Sequence, residues 1–150
     1  MRWSTGEATV ERLLAARHIE KVQGAQADGD SWLERARRGL DAARVLAQSA
    51  PDSSVILAYD AARQACVALL AQQGLRPTTS GGHYVIEEVI RAQFGTSLTA
   101  FGGLRRRRNE LEYPLYPTER ASAAEAAETL KIAGEIIDAA ARLLPNLAFF

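Results

Sequence analysis

Between Ser54 and Gln73 the chain carries only two charged side chains, Asp60 and Arg63, and is otherwise small or apolar on almost every side. Val55, Tyr59, Ala62, Cys66 and Leu69 recur at alternating steps of four and three, the spacing of one helix face. Ile56, Leu57, Ala61, Ala65 and Ala68 make the remaining faces apolar or small as well. A helix that is apolar all round has to be buried, so the rest of the sequence must supply the elements that surround it. SAPDSS (49–54) breaks the chain before this segment, with Ser53 or Ser54 placed to cap the helix. Gly74 followed by Arg76-Pro77 stops it.

The surrounding sequence is rich in Ala, Leu, Glu and Arg, has no alternating stretch of useful length and shows no internal repeat, which predicts an all-α fold. A short first helix, about 7–17, has Val10, Leu13 and Leu14 on one side, and QGAQADGD (23–30) follows as a polar linker. Ser31 and Glu34 read as a capping box for a second helix running to about 48, with Trp32, Ala36, Leu40, Ala43 and Ala47 as its stripe. Beyond the central helix, Val85, Ile86, Val89 and Ile90 face inward on a short helix ending at Gly95. Another helix, about 97–112, carries Leu98, Phe101, Leu104 and Leu111 and must stop before Pro114. A last one, about 119–144, opens with Ser122 and Glu125, and its seam of Leu130, Ala133, Ile137, Ala140 and Leu144 can pack internally or across a dimer. The expected organisation is an N-terminal helix and linker, 1–28, followed by a bundle of four to five helices, 29–150. With 47% hydrophobic and 24% charged residues in 150, one core is expected.

Charges balance at 18 against 18, so attraction to nucleic acid or membrane must come from local clustering. Lys21 and Lys131 are the only lysines. The arginine excess reflects either a GC-rich coding sequence or a demand for bidentate contacts. Cys66 is the single cysteine, which excludes an intramolecular disulfide and a cysteine cage for zinc. No metal site and no cofactor is expected. The N-terminus, MRWSTGEATVERLL, lacks the apolar stretch of a signal peptide, and no window was expected to approach the ~18 apolar residues of a membrane span. The protein is therefore expected in the cytoplasm, away from membranes.

The charge cluster is RRRRNELEYP (105–114). On a helix, Phe101, Leu104, Arg108 and Leu111 share one stripe, so Arg108 points inward and needs a carboxylate, a carbonyl or a ligand phosphate. Glu112 and Asp60 are its candidate partners, Asp60 being equally placed to pair with Arg63 three residues on. Arg106 pairs by spacing with Glu110, leaving Arg105 and Arg107 free. A decorative reading, cations complementing a helix C-terminus, competes for Arg105 and Arg106. His83 reads as a structural residue at a helix start, His18 as a contact for a helix end, and Cys66 as core packing.

Arg108-Asn109-Glu110-Leu111-Glu112-Tyr113 resembles the signature of HEPN domains, small helical bundles in which Arg, commonly followed by Asn, is separated from a His by four to six intervening residues near the end of a late helix. WLERARRGLDAARVLA, YDAARQACVALLAQQGLRP and GGHYVIEEV extend the similarity, in order, over about 30–145. The resemblance implies metal-independent RNA cleavage by a homodimer, with Arg108 on the scissile phosphate, Asn109 orienting it, and Arg105 and Arg107 as a positive margin. Tyr113 stands where the family has histidine, and a tyrosine, with a reference pKa of about 10, is a poor base at neutral pH. Three functional readings follow: a toxin-like or defence endoribonuclease using Arg108, Asn109 and Tyr113, a non-catalytic module binding RNA or a nucleotide, and a partner of a nucleotidyltransferase in a toxin–antitoxin pair. In the last, the family's modified tyrosine lies two residues beyond the histidine; Leu115 holds that position here, with Tyr116 beside it. A purely architectural bundle, Arg108 bonding only Asp60 or Glu112, is the fourth reading.

Overall fold

The computed structural model describes residues 3–150, leaving aside the side chains of 96 and 97. Its elements are α1 (Glu7–Ala15), β1 (Ile19–Lys21), α2 (Gly29–Leu46), α3 (Pro51–Gln72), β2 (Leu75–Pro77), α4 (Gly82–Phe94), α5 (Ala100–Glu112) and α6 (Ala123–Leu143), with 3-10 turns at Gly24–Gln26, Gly95–Leu98 and Leu144–Asn146. The chain is an all-α bundle, as its composition predicts.

α3 occupies the centre and packs against α2, α4, α5 and α6. Its small residues Ala58, Ala61, Ala62, Ala65 and Ala68 are buried and allow close helix approach, while Leu69 and Leu70 fill the wider end. Against α2 the fit is so close that a methyl group on Gly29 would sit 2.8 Å from the Ala68 carbonyl oxygen. A window of α3 does reach the length and hydropathy of a membrane span, correcting the expectation that none would; 72% of that window is buried by the other helices. The α6 seam also packs internally, since Ala133, Ile137, Ala140 and Leu144 are all buried within the single chain.

Helix starts differ from the sequence reading for local reasons. α2 begins three residues early, because Asp28 rather than Ser31 is the cap: its Oδ1 accepts from the Ser31 backbone N–H at 2.9 Å. α3 begins at Pro51, the first-turn position that tolerates a missing N–H. Ser54 is therefore inside the helix, where its hydroxyl donates to the Ala43 carbonyl at 2.7 Å and ties α3 to α2. For α6 the Ser122 cap holds, accepting from the Glu125 N–H at 3.0 Å, but the Glu125 side chain does not close the box because it is bonded to Arg107. The stretch expected as one helix over 97–112 is a 3-10 turn followed by α5.

The N-terminal segment shares the core of the bundle. Val10 and Leu13 of α1 are fully buried in the main cluster together with Ile19. The Trp3 indole N–H donates to the Gln93 carbonyl at 2.9 Å. α1 ends two residues early because Arg17 adopts a left-handed conformation, with the His18 N–H returning to the Leu13 carbonyl in a Schellman arrangement. β1 then pairs antiparallel with β2, Ile19 opposite Pro77 and Lys21 opposite Leu75. Three residues per strand are too few to leave an alternating pattern in sequence. We expect Leu13→Ala to cost the whole bundle about 2–5 kcal/mol in chemical denaturation, in a single transition. A loss under 0.5 kcal/mol would show instead that α1 is an appendage.

Candidate functional site

Two of the four consecutive arginines are neutralised, and they are the two expected to be free. Arg107 is held by Glu125, by Glu119 at 2.6 Å and by Glu110 at 2.9 Å, with the Arg120 carbonyl at 3.3 Å. Hydrogen bonding to Glu125 first, then to Glu119 and Glu110, holds its pKa above the ordinary arginine value. Arg105 is bonded to the buried Glu87, which Arg91 also reaches at 2.7 Å, and its guanidinium lies 5.6 Å from the Tyr84 ring centre. Gly102 lets Glu87 come this close, since a methyl group there would stand 2.5 Å from its Oε1. The expected Arg106–Glu110 pair does not form, because Glu110 is taken by Arg107; Arg106 is exposed.

Arg108 differs from both. It lies on the half-buried side of α5, as its stripe predicts, yet neither expected carboxylate reaches it. Glu112 is exposed at the helix end, and Asp60 faces Arg63 at 4.0 Å. Its hydrogen bond is to the neighbouring Asn109, Nη1 to Oδ1 at 3.3 Å. Its buried Nε has no hydrogen-bond partner among the described residues. Two tyrosine rings flank the guanidinium, Tyr59 and Tyr113, each centred 6.0 Å away. Aromatic faces attract a cation but leave its N–H groups unsatisfied. Tyr113 and Tyr116 follow on an exposed segment, 74% and 65% accessible.

Tyr59 connects this arginine to residues that spacing did not bring together. Its ring is fully buried, stacked on Phe101 at 5.4 Å, and its hydroxyl lies 2.7 Å from His83 Nδ1 at the start of α4. Burial pushes the Tyr59 pKa well above the ordinary tyrosine value, so the phenol keeps its proton. With no other acceptor for it among the described residues, the phenol is assigned as the donor to Nδ1, an assignment that puts the His83 proton on Nε2. Desolvation, then the positive charges of Arg63 and Arg108, hold the His83 pKa below the ordinary histidine value, with Asp60 opposing. Arg63 completes the group, its Nε buried and without a hydrogen-bond partner. His83 was read from sequence as a structural residue; its glycine-flanked place at a helix start gave no sign of a phenol 24 positions away.

The cluster is thus rich in hydrogen-bond donors, with Asp60 as the carboxylate that opposes their charge. Among the described residues no three His, Cys, Asp or Glu side chains converge as metal ligands. Cys66 lies outside the cluster, in the core, where burial pushes its thiol up to about 12.

A bundle of this shape with Arg-Asn near the end of a late helix defines a class, and comparison with family models gives it a name. The model of the HEPN domain matches residues 30–143, most of the chain, and the protein belongs to the HEPN family. Searches of curated proteins and of solved structures give no match.

His83 is expected to titrate below the histidine reference of about 6.5, as followed by NMR of the imidazole. Because the folded pKa is depressed, the associated stability is present above the unfolded value and lost as pH falls through the folded one. Tyr59→Phe removes the donor to Nδ1 and should alter the tautomer signal of the ring. An imidazole titrating at or above 6.5 would contradict the burial and the charge environment described.

Proposed function

We propose that this HEPN protein is an RNA-binding module that holds a backbone phosphate on Arg108. The observation that supports it is a half-buried guanidinium with no carboxylate partner, beside two neighbours that are saturated with carboxylates. A phosphate oxygen would bond the outward Nη groups of Arg108, whose direction the Nη1–Asn109 contact fixes. Tyr113, 6.0 Å from the guanidinium and exposed, offers a face on which a base can stack. Arg105 and Arg107 then act as braces that fix the position of α5 rather than as phosphate ligands.

Binding without turnover is favoured over cleavage by the proton inventory. Attack by a 2′-hydroxyl needs a base near the phosphate. Tyr113 is an exposed phenol, and the nearest imidazole, His83, has its Nδ1 lone pair engaged by Tyr59. The homodimer that the resemblance implies has no support in α6, whose seam is used up internally. The exposed run Tyr113-Pro114-Leu115-Tyr116, next to Arg108, is the surface that a second subunit would cover.

Fluorescence anisotropy with a labelled mixed-sequence single-stranded RNA, in EDTA, tests the reading. Wild type is expected to bind without degrading the RNA, and Arg108→Ala to bind at least about tenfold more weakly, the worth of one charge-assisted hydrogen bond. Cleavage by wild type that disappears in Arg108→Ala would make the protein an endoribonuclease; equal affinity in both would reject the site.

The exposure of Tyr113 and Tyr116 favours one further reading, as acceptors of a nucleotidyl group from a partner nucleotidyltransferase. Intact-protein and peptide mass spectrometry after co-expression with a neighbouring transferase would then find the added nucleotidyl mass on one of these tyrosines. An unmodified Tyr113 and Tyr116 would reject it.

A further inference from the structure

On the side of His83 marked by β2 and the start of α4 lies a cleft of about 360 Å³, and Arg108 is not among its walls. Arg63, His83, Thr78 and Thr79 supply its charged and polar lining, Gly82 lies among them, and Pro77 and Ile86 make its apolar part. We propose that this cleft binds a phosphate monoester, held between the Arg63 guanidinium and the Nε2–H of His83. The site rests on residues other than those of the Arg108 reading and goes beyond it.

Four features lead to that ligand. First, Arg63 is poorly satisfied by the described residues: Asp60 stands at 4.0 Å, and the buried Nε has no hydrogen-bond partner among them. A guanidinium in that state gains most from an acceptor with several oxygens, which a phosphate provides in a bidentate geometry. Second, Tyr59 fixes the His83 tautomer so that Nε2 is a donor, and a neutral donor adds to the site without a further cation beside Arg63, Arg105 and Arg108. Third, the wall at Gly82 is open, for a methyl group added there would meet nothing within 4 Å. Gly82 and His83 are also the first residues of the thirteen-residue α4, whose opening N–H groups no side chain caps.

The fourth feature is size. The cleft is within the range of small-molecule sites and larger than a phosphate needs, so the apolar wall of Pro77 and Ile86 has room for the sugar that carries it. A monoester fits better than a diester because it brings nearly two negative charges at neutral pH and three terminal oxygens to a site with several separate donors. Such a group is found on a free mononucleotide and on the phosphorylated end of an RNA. Occupancy places a dianion against the imidazole and therefore raises the His83 pKa. The groups facing that ring are Tyr59, Asp60 and Arg63 from α3 and Arg105 and Arg108 from α5.

The test follows the His83 imidazole by NMR while inorganic phosphate, adenosine 5′-monophosphate, a 5′-phosphorylated oligoribonucleotide and its 5′-hydroxyl counterpart are added in turn. The expected result is a saturable shift with the three phosphorylated probes, a higher His83 pKa when they are bound, and at least tenfold weaker binding in Arg63→Gln. Arg37→Gln, an exposed residue of the α2–α6 groove that is not among the cleft's lining, should bind as wild type does. Tighter binding of the mononucleotide identifies a free nucleotide as the source, and tighter binding of the phosphorylated oligonucleotide an RNA end. Should Arg63→Gln fail to fold, His83→Gln read by the phosphorus resonance of the probe replaces it, with the same tenfold loss expected. A flat titration, a shift that survives Arg63→Gln, or an equal shift with the 5′-hydroxyl oligonucleotide overturns the proposal. A flat titration with RNA binding still dependent on Arg108 removes the cleft alone. A saturable Arg63-dependent shift with RNA binding indifferent to Arg108 removes the Arg108 reading alone.

Discussion

The burial of α3 on nearly every side imposes a demand on the polar side chains it carries in its middle, among them Tyr59, Asp60 and Arg63. Each must find a partner at the rim of the helix or carry an unsatisfied group into the interior. Tyr59 finds His83, and Asp60 and Arg63 stand opposite each other at a loose 4.0 Å. The start of α4 and the last turns of α5 are drawn to that rim, and the donor-rich cluster forms where they meet. The remainder of the buried face of α3 is small and apolar, Val55, Ala58, Ala62, Ala65, Cys66 and Leu69 among it, and offers no comparable group.

The same logic separates the arginines of α5. Helix geometry turns four consecutive residues toward four directions, each with its own neighbours. Arg105 meets the buried Glu87 of α4, Arg107 meets three carboxylates around the start of α6, and Arg106 meets solvent. Arg108 meets two aromatic faces and one amide oxygen. Identical side chains thus serve as two clamps, one exposed charge and one half-buried guanidinium without a carboxylate partner among the described residues.

Much of the fold was legible because it depends on periodicity: the central helix, the inward residues of α4, the Ser122 cap and the inward turn of Arg108 all follow from spacing. What escaped depends on distance. Glu87 and Glu125 sit 18 residues from the arginines they bind, and the Tyr59–His83 contact spans 24. The Arg106–Glu110 expectation failed because spacing names partners without ranking competitors, and Arg107 was the better placed. β1 and β2 escaped through brevity, and the Asp28 cap because Ser31 offered a box motif three residues later. The signature residues Asn109 and Tyr113 do lie beside Arg108, while Tyr59 comes to it from α3 and brings His83 of α4 with it.

The account turns on Arg108 being the arginine of the run that exchanges counterions for a phosphate, and the salt dependence of RNA affinity reads that directly. The measurement is the slope of log affinity against log salt for wild type, Arg108→Gln and Arg105→Gln on one single-stranded RNA. The account predicts a slope shallower by about 0.7 in Arg108→Gln, the share of one phosphate contact on a single strand, and an unchanged slope in Arg105→Gln. Equal flattening in both variants, or flattening in Arg105→Gln alone, would contradict it.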